Sequence, residues 1–79
     1  MPLRPGRGAR DSRGAIVRRV VPFTVHDQPH YQIHFSPVGE EDRMVQARIG
    51  NEGVYEGIAP GDRVIVHTLM NVVTKIEKA

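Results

Sequence analysis

From about residue 16 onward, apolar and polar side chains alternate with a period of two rather than the 3.6 of a helix. The clearest run is Tyr31, Ile33 and Phe35, interleaved with Gln32 and His34. Val45, Ala47 and Ile49 alternate with Gln46 and Arg48 in the same way. A loop through Gly39, Glu40 and Glu41 pairs Phe35 with Val45, Ile33 with Ala47 and Tyr31 with Ile49, giving one apolar face across both strands. The preceding segment, Ile16 to Val25, forms a hairpin with the first of these strands. A three-residue tip of Asp27, Gln28 and Pro29 predicts inward pairs Val25 with Tyr31, Phe23 with Ile33 and Val21 with Phe35. The outward pairs are then His26 with His30, Thr24 with Gln32 and Pro22 with His34. Pro22 has no amide donor and predicts an edge position or bulge, and Arg19 falls out of phase with the inward set, which predicts a local irregularity.

Beyond Ile49 the alternation stops at Gly50-Asn51-Glu52-Gly53, and Val54, Tyr55 and Ile58 have the spacing of a single helical turn facing the core. Ala59-Pro60-Gly61-Asp62 reads as a type II turn, because Pro60 presets a negative φ and Gly61 accepts the positive φ that follows. A fourth strand, Arg63 to Thr68, turns Val64 and Val66 inward. A loop of Leu69, Met70 and Asn71 leads to a fifth, Val72 to Glu77, with Val72 and Ile76 inward. The pattern therefore predicts an all-β, five-stranded small β-barrel, OB-fold-like with SH3-like as the alternative, carrying one short helical turn between strands three and four.

Composition agrees: 17 of the 31 apolar residues are Val or Ile, which lose rotamer freedom in helices and pack well on pleated sheets. A length of 79 residues supports one core only. The absence of cysteine excludes disulfides and thiolate chemistry and points to a reducing, cytoplasmic compartment. No apolar run has the length of a secretory signal core or a membrane span, so no membrane association is expected. The net charge of +2 is unevenly placed. Residues 1–19 hold six arginines against Asp11, a balance of +5, while residues 20–79 hold five basic and eight acidic side chains, a balance of −3. Residues 1–13, rich in Arg, Pro and Gly, are expected to form a flexible arm, and residues 14–79 the barrel.

The stretch Gly61-Asp62-Arg63-Val64-Ile65-Val66, after Ala59-Pro60 and a three-strand meander, resembles the small OB-fold domains of the bacterial translation initiation factor one and S1 RNA-binding families. The resemblance is one of layout over residues 14–78, and it implies RNA binding on a five-stranded barrel.

Candidate chemistry is sparse. His26, His30 and His34 recur every fourth residue, but in a hairpin only His26 and His30 face each other, and His34 lies about 13 Å along its strand. A zinc ion held by His26, His30 and Asp27 is conceivable, yet a polar hairpin face is the simpler account, and no metal or other cofactor is expected. Facing imidazoles predict a modest pH sensitivity. Ser12 and Ser36 lack a positioned base and carboxylate, Glu40, Glu41 and Asp42 read as a solvated loop, and no phosphate-binding glycine motif is present, so the chain is expected to be non-enzymatic. The leading expectation is association with RNA or single-stranded DNA through Arg4, Arg7, Arg10 and Arg13 of the arm and Gln32, His34, Gln46 and Arg48 on the outer face of strands two and three. Against it, Phe23, Tyr31, Phe35 and Tyr55 are all assigned inward, which leaves no base-stacking platform. The alternative is a protein-interaction or homo-oligomerisation module using an outward apolar strip of Ile65, Leu69, Met70 and Val73.

Overall fold

The computed structural model describes residues 10–79. Five antiparallel strands make one sheet: β1 Arg10–Val25, β2 Gln28–Pro37, β3 Val45–Gly50, β4 Arg63–Leu69 and β5 Val72–Lys78. A 3-10 turn, Asn51–Gly53, sits between β3 and β4. The all-β class, the strand count and the position of the helical turn are as the alternation predicts. The turn forms one step earlier than expected, while Val54, Tyr55 and Ile58 still pack against the core. The spatial order is β3-β2-β1-β4-β5, so β1 is central and pairs on both sides. The sheet curls round a core of Ala15, Val17, Ile33, Phe35, Ile49, Val64, Val66 and Ile76. It does not close: β3 and β5 are its two edges, and an open cleft of about 490 Å³ is lined by Phe35, Val45, Ala47, Val66 and Val73, with Arg13 and Arg43 beside them.

β1 starts at Arg10, so Arg10 to Arg13, expected in the arm, are strand residues paired with β4 from Arg10–Leu69 to Arg13–Val66. Arg4 and Arg7 lie outside the described residues. Strand pairing supplies the backbone hydrogen bonds that composition alone does not promise.

The β2–β3 register is the predicted one, with Phe35 opposite Val45, Ile33 opposite Ala47 and Tyr31 opposite Ile49. The β1–β2 register is not. The hairpin closes through two residues, His26 and Asp27, both at positive φ (51° and 65°), the turn that matches strand twist. Val25 therefore pairs with Gln28, Phe23 with His30, Pro22 with Tyr31 and Val20 with Ile33. This shift of three residues, an odd number, exchanges the two faces of β1. Val21, Phe23 and Val25, expected inside, share the outer face with Gln32, His30 and Gln28. His26 and His30 no longer face each other, which removes both the zinc geometry and the expected imidazole repulsion.

A bulge between Val17 and Arg19 restores the phase, so that Ala15 and Val17 are buried on one side of it and Val20 packs inward on the other. The irregularity signalled by Arg19 is thus real and centred on Arg18. Pro22 lies where β1 pairs with β2 alone, as an edge proline should.

The β4–β5 hairpin also closes through two residues, Met70 and Asn71, with φ of 51° and 67°. The register shifts between His67 and Thr68, leaving Thr74 as the extra residue on β5. Ile76 is buried as expected, but Val72, expected inward, is 64% exposed, and Val73, expected outward, packs against the core. The type II turn forms as predicted, with Gly61 at φ 93° and the Asp62 N–H donating to the Ala59 carbonyl at 3.2 Å. At Gly53 a side chain has no room, since a Cβ would meet Ile49 at 2.6 Å and the Thr74 carbonyl at 3.1 Å.

Candidate nucleic-acid interface

The corrected register assembles one continuous outer surface on β1, β2 and β3. Its cross-strand rows are Arg19, His34 and Gln46, then Val21, Gln32 and Arg48, then Phe23, His30 and Gly50. Of the residues expected to contact nucleic acid, Gln32, His34, Gln46 and Arg48 are brought together here. Arg19, Val21 and Phe23 join them because the two-residue turn brings them to this face, and His30, outward in either register, lies opposite Phe23. Positive φ is more accessible to His and Asp than to bulky residues, so His26-Asp27 was the signal for the shorter turn.

Phe23 is half-buried, with the His30 ring tilted 37° to it at a centroid distance of 5.6 Å. The Arg48 guanidinium lies 5.7 Å from the centre of the Phe23 ring, within cation–π range. His30 Nδ1–H donates to the Gln28 carbonyl at 3.1 Å, which fixes the ring beside Phe23. The Gln32 amide nitrogen donates to Gln46 Oε1 at 2.6 Å and lies 3.4 Å from His34 Nε2. The surface thus joins an aromatic centre to two guanidinium groups and a row of amide and imidazole donors and acceptors.

Arg13, Arg18 and Arg43, outside this surface, are engaged elsewhere. Arg18, the bulge residue, donates to the buried Ser36 hydroxyl at 3.1 Å and to the Glu41 carbonyl at 3.2 Å, which ties the β2–β3 loop down. Glu40 of that loop accepts from Arg13 and, at 3.2 Å, from Arg43. Arg13 is therefore committed to Glu40, whereas Arg10 is exposed at the start of β1.

On the other half of the sheet, Ser12, His67 and Glu77 form a hydrogen-bonded line, Ser12 Oγ to His67 Nδ1 at 2.9 Å and His67 Nε2 to Glu77 Oε1 at 2.6 Å. The sequence alone does not predict this line, because composition puts Ser12 in the arm. It crosses three neighbouring strands on one face, and its atoms run in the order of a nucleophile, base and carboxylate. The line forms a polar ladder across the three strands. Among the described residues no cluster of three or more His, Asp or Glu is arranged to hold a metal ion. Of the expected apolar strip, Ile65 is half-buried and Val73 packs inward, leaving Leu69 and Met70 exposed with Val72 at the β4–β5 tip.

Four carboxylates are held below their ordinary range. Glu40 is lowered chiefly by its hydrogen bond from Arg13, Glu41 by the Gly39 amide, Asp62 by the Tyr55 hydroxyl at 2.5 Å, and Glu77 by His67. Tyr55 is pushed up, first by burial and then by Asp62. A carboxylate lowered in the folded state stabilises the fold above its unfolded pKa, and that contribution disappears as pH falls through the folded value. Thermal midpoints are therefore expected to be flat from neutral pH down to about 5 and to fall below it. A midpoint unchanged between pH 5 and pH 2.5 would contradict these four hydrogen bonds.

Comparison of the chain with protein-family models, with curated proteins and with solved structures gives no match in any of the three. Among the described residues no helix is long and apolar enough to cross a membrane.

Proposed function

We propose that this chain is a non-enzymatic OB-like module that binds single-stranded nucleic acid, RNA or single-stranded DNA, on the outer face of β1, β2 and β3. The observation that carries the proposal is Phe23 on that face, beside His30 and under Arg48. Stacking on an aromatic ring contributes about 1–3 kcal/mol per base and tolerates any base, and a guanidinium beside it reaches phosphate. An order of β3-β2-β1-β4-β5 with a long, bulged, central β1 supports the OB-like reading over the SH3-like one, and the OB fold uses the same strands to hold oligonucleotides. The resemblance of the Gly61–Val66 stretch to initiation factor one and S1 domains favours RNA. A cysteine-free chain with this task fits the cytoplasm.

The test is fluorescence anisotropy of labelled RNA and single-stranded DNA hexamers with the full chain across a salt series. Each phosphate contact contributes about 0.7 to the log–log slope, so replacing Arg19 and Arg48 with alanine is expected to flatten it by about 1.4. Replacing Arg4 and Arg7 tests the arm by the same measure. Affinity that does not depend on salt would end the proposal. The second reading, self-association, is favoured by the β4–β5 tip, where Met70 is 75% and Val72 64% exposed, and by the unpaired β3 and β5 edges. Sedimentation as a monomer at high concentration would exclude it.

A further inference from the structure

We infer that the outer face ends in a base-reading pocket that selects guanine, an inference that rests on the single-strand reading above. The row of Phe23 and His30 continues on β3 at Gly50, which has no side chain. A Cβ at Gly50 would lie 2.8 Å from Glu52 Oε1 and 3.8 Å from His30 Nε2. The Glu52 carboxylate therefore occupies the position a side chain would take and completes a row of phenyl ring, imidazole and carboxylate. Gln28, Pro29, His30, Asn51 and Glu52 line a depression of about 290 Å³ at this end, close to the lower size of small-ligand pockets, roughly 300 Å³. No ion pair among the described residues involves Glu52.

Charge sets the orientation of a bound strand. Arg48 and Arg19 stand in the two rows on one side of Phe23 and His30, and Glu52 stands at the far end of the Phe23 row. Phosphates are drawn to the arginines and repelled by the carboxylate, so the group that meets Glu52 is a base edge. A carboxylate is an acceptor with two oxygens and is best matched by two adjacent N–H donors. On the Watson–Crick edge, guanine alone of the four RNA bases presents such a pair, its ring N1–H and its 2-amino group. Adenine and cytosine offer one amino group beside a ring acceptor that faces the second oxygen unfavourably.

The probes are hexauridine and four variants with one central uridine replaced by guanosine, inosine, adenosine or cytidine, measured by anisotropy with the full chain. The guanosine hexamer is expected to bind about tenfold more tightly than hexauridine, and inosine, which lacks the 2-amino donor, to lose most of that gain. Glu52→Gln is expected to reduce the guanosine preference, read as the ratio to hexauridine for the same variant, below about twofold, while hexauridine itself binds no more weakly because a charge that repels phosphate is gone. Gly50→Ala, whose Cβ displaces the carboxylate without removing its charge, is expected to reduce the preference likewise. Hexauridine binding with no guanosine preference, or a preference that survives Glu52→Gln, overturns the pocket and leaves the single-strand reading in place. Failure of every hexamer to bind overturns both.

Discussion

Replacing Phe23 with alanine is expected to weaken binding of single-stranded RNA by about tenfold or more while leaving the thermal midpoint nearly unchanged. The affinity loss follows from removing the ring on which a base stacks, about 1–3 kcal/mol per base, together with the surface against which Arg48 and His30 are placed. The small effect on stability follows from position. Phe23 lies on the outer face opposite His30, on the stretch of β1 that pairs with β2 alone. A residue in the core at the same sequence position would behave oppositely, with a phenylalanine truncation costing about 3–5 kcal/mol. Paired anisotropy and melting measurements on F23A thus decide between the two registers of the β1–β2 hairpin as well as testing the interface. A large fall in midpoint with unaltered affinity would reject both the outward placement and the stacking role.

Ile33→Ala is expected to be the most damaging single truncation for stability. Ile33 is fully buried at the centre of β2, between Val20 of β1 and Ala47 of β3, so its neighbours cannot collapse into the space it leaves. Deleting such a side chain costs about 2–5 kcal/mol. Small domains stand at the low end of the usual 5–15 kcal/mol of total stability, so the loss is a large share of the whole. Urea unfolding monitored by circular dichroism is expected to show a midpoint shifted far down with an unchanged slope. Val72→Ala is the matched control. Its side chain is exposed at the β4–β5 tip, and its loss is expected to stay within about 0.5 kcal/mol, whereas Val73→Ala removes a core contact. Equal costs for Ile33 and Val72 would contradict the burial of the one and the exposure of the other.

What was legible in the chain depended on whether alternation ran unbroken. Within Tyr31–Phe35 and Val45–Ile49 it does, and the β2–β3 register, with Gln32 opposite Arg48 and His34 opposite Gln46, could be read directly. The turn at Ala59–Asp62 was legible because Pro60 and Gly61 each permit few alternatives. The β1–β2 hairpin failed at its tip. A loop of three residues and a loop of two place opposite sets of side chains inside, and Val21, Phe23 and Val25 made the wrong set look better on apolarity alone. Arg19, Val21 and Phe23 are therefore absent from the interface that the sequence predicts. Arg19 and Pro22 carried the correct warning that β1 was irregular, without saying where its phase changed.

Residue types and their period determined the all-β class, the five strands, the central meander and the turn between strands three and four, because β-branched alternation and Pro-Gly turns act within a few residues of themselves. Tertiary structure alone decided which face of β1 and which valine of β5 are inside. Each was settled by one extra residue, at Arg18 and at Thr74. A bulge gains nothing locally and is retained only because the strands on either side then bury Val17 and Val20, or Val73 and Ile76, against the same core. That requirement is what turns Phe23 outward and builds the candidate interface.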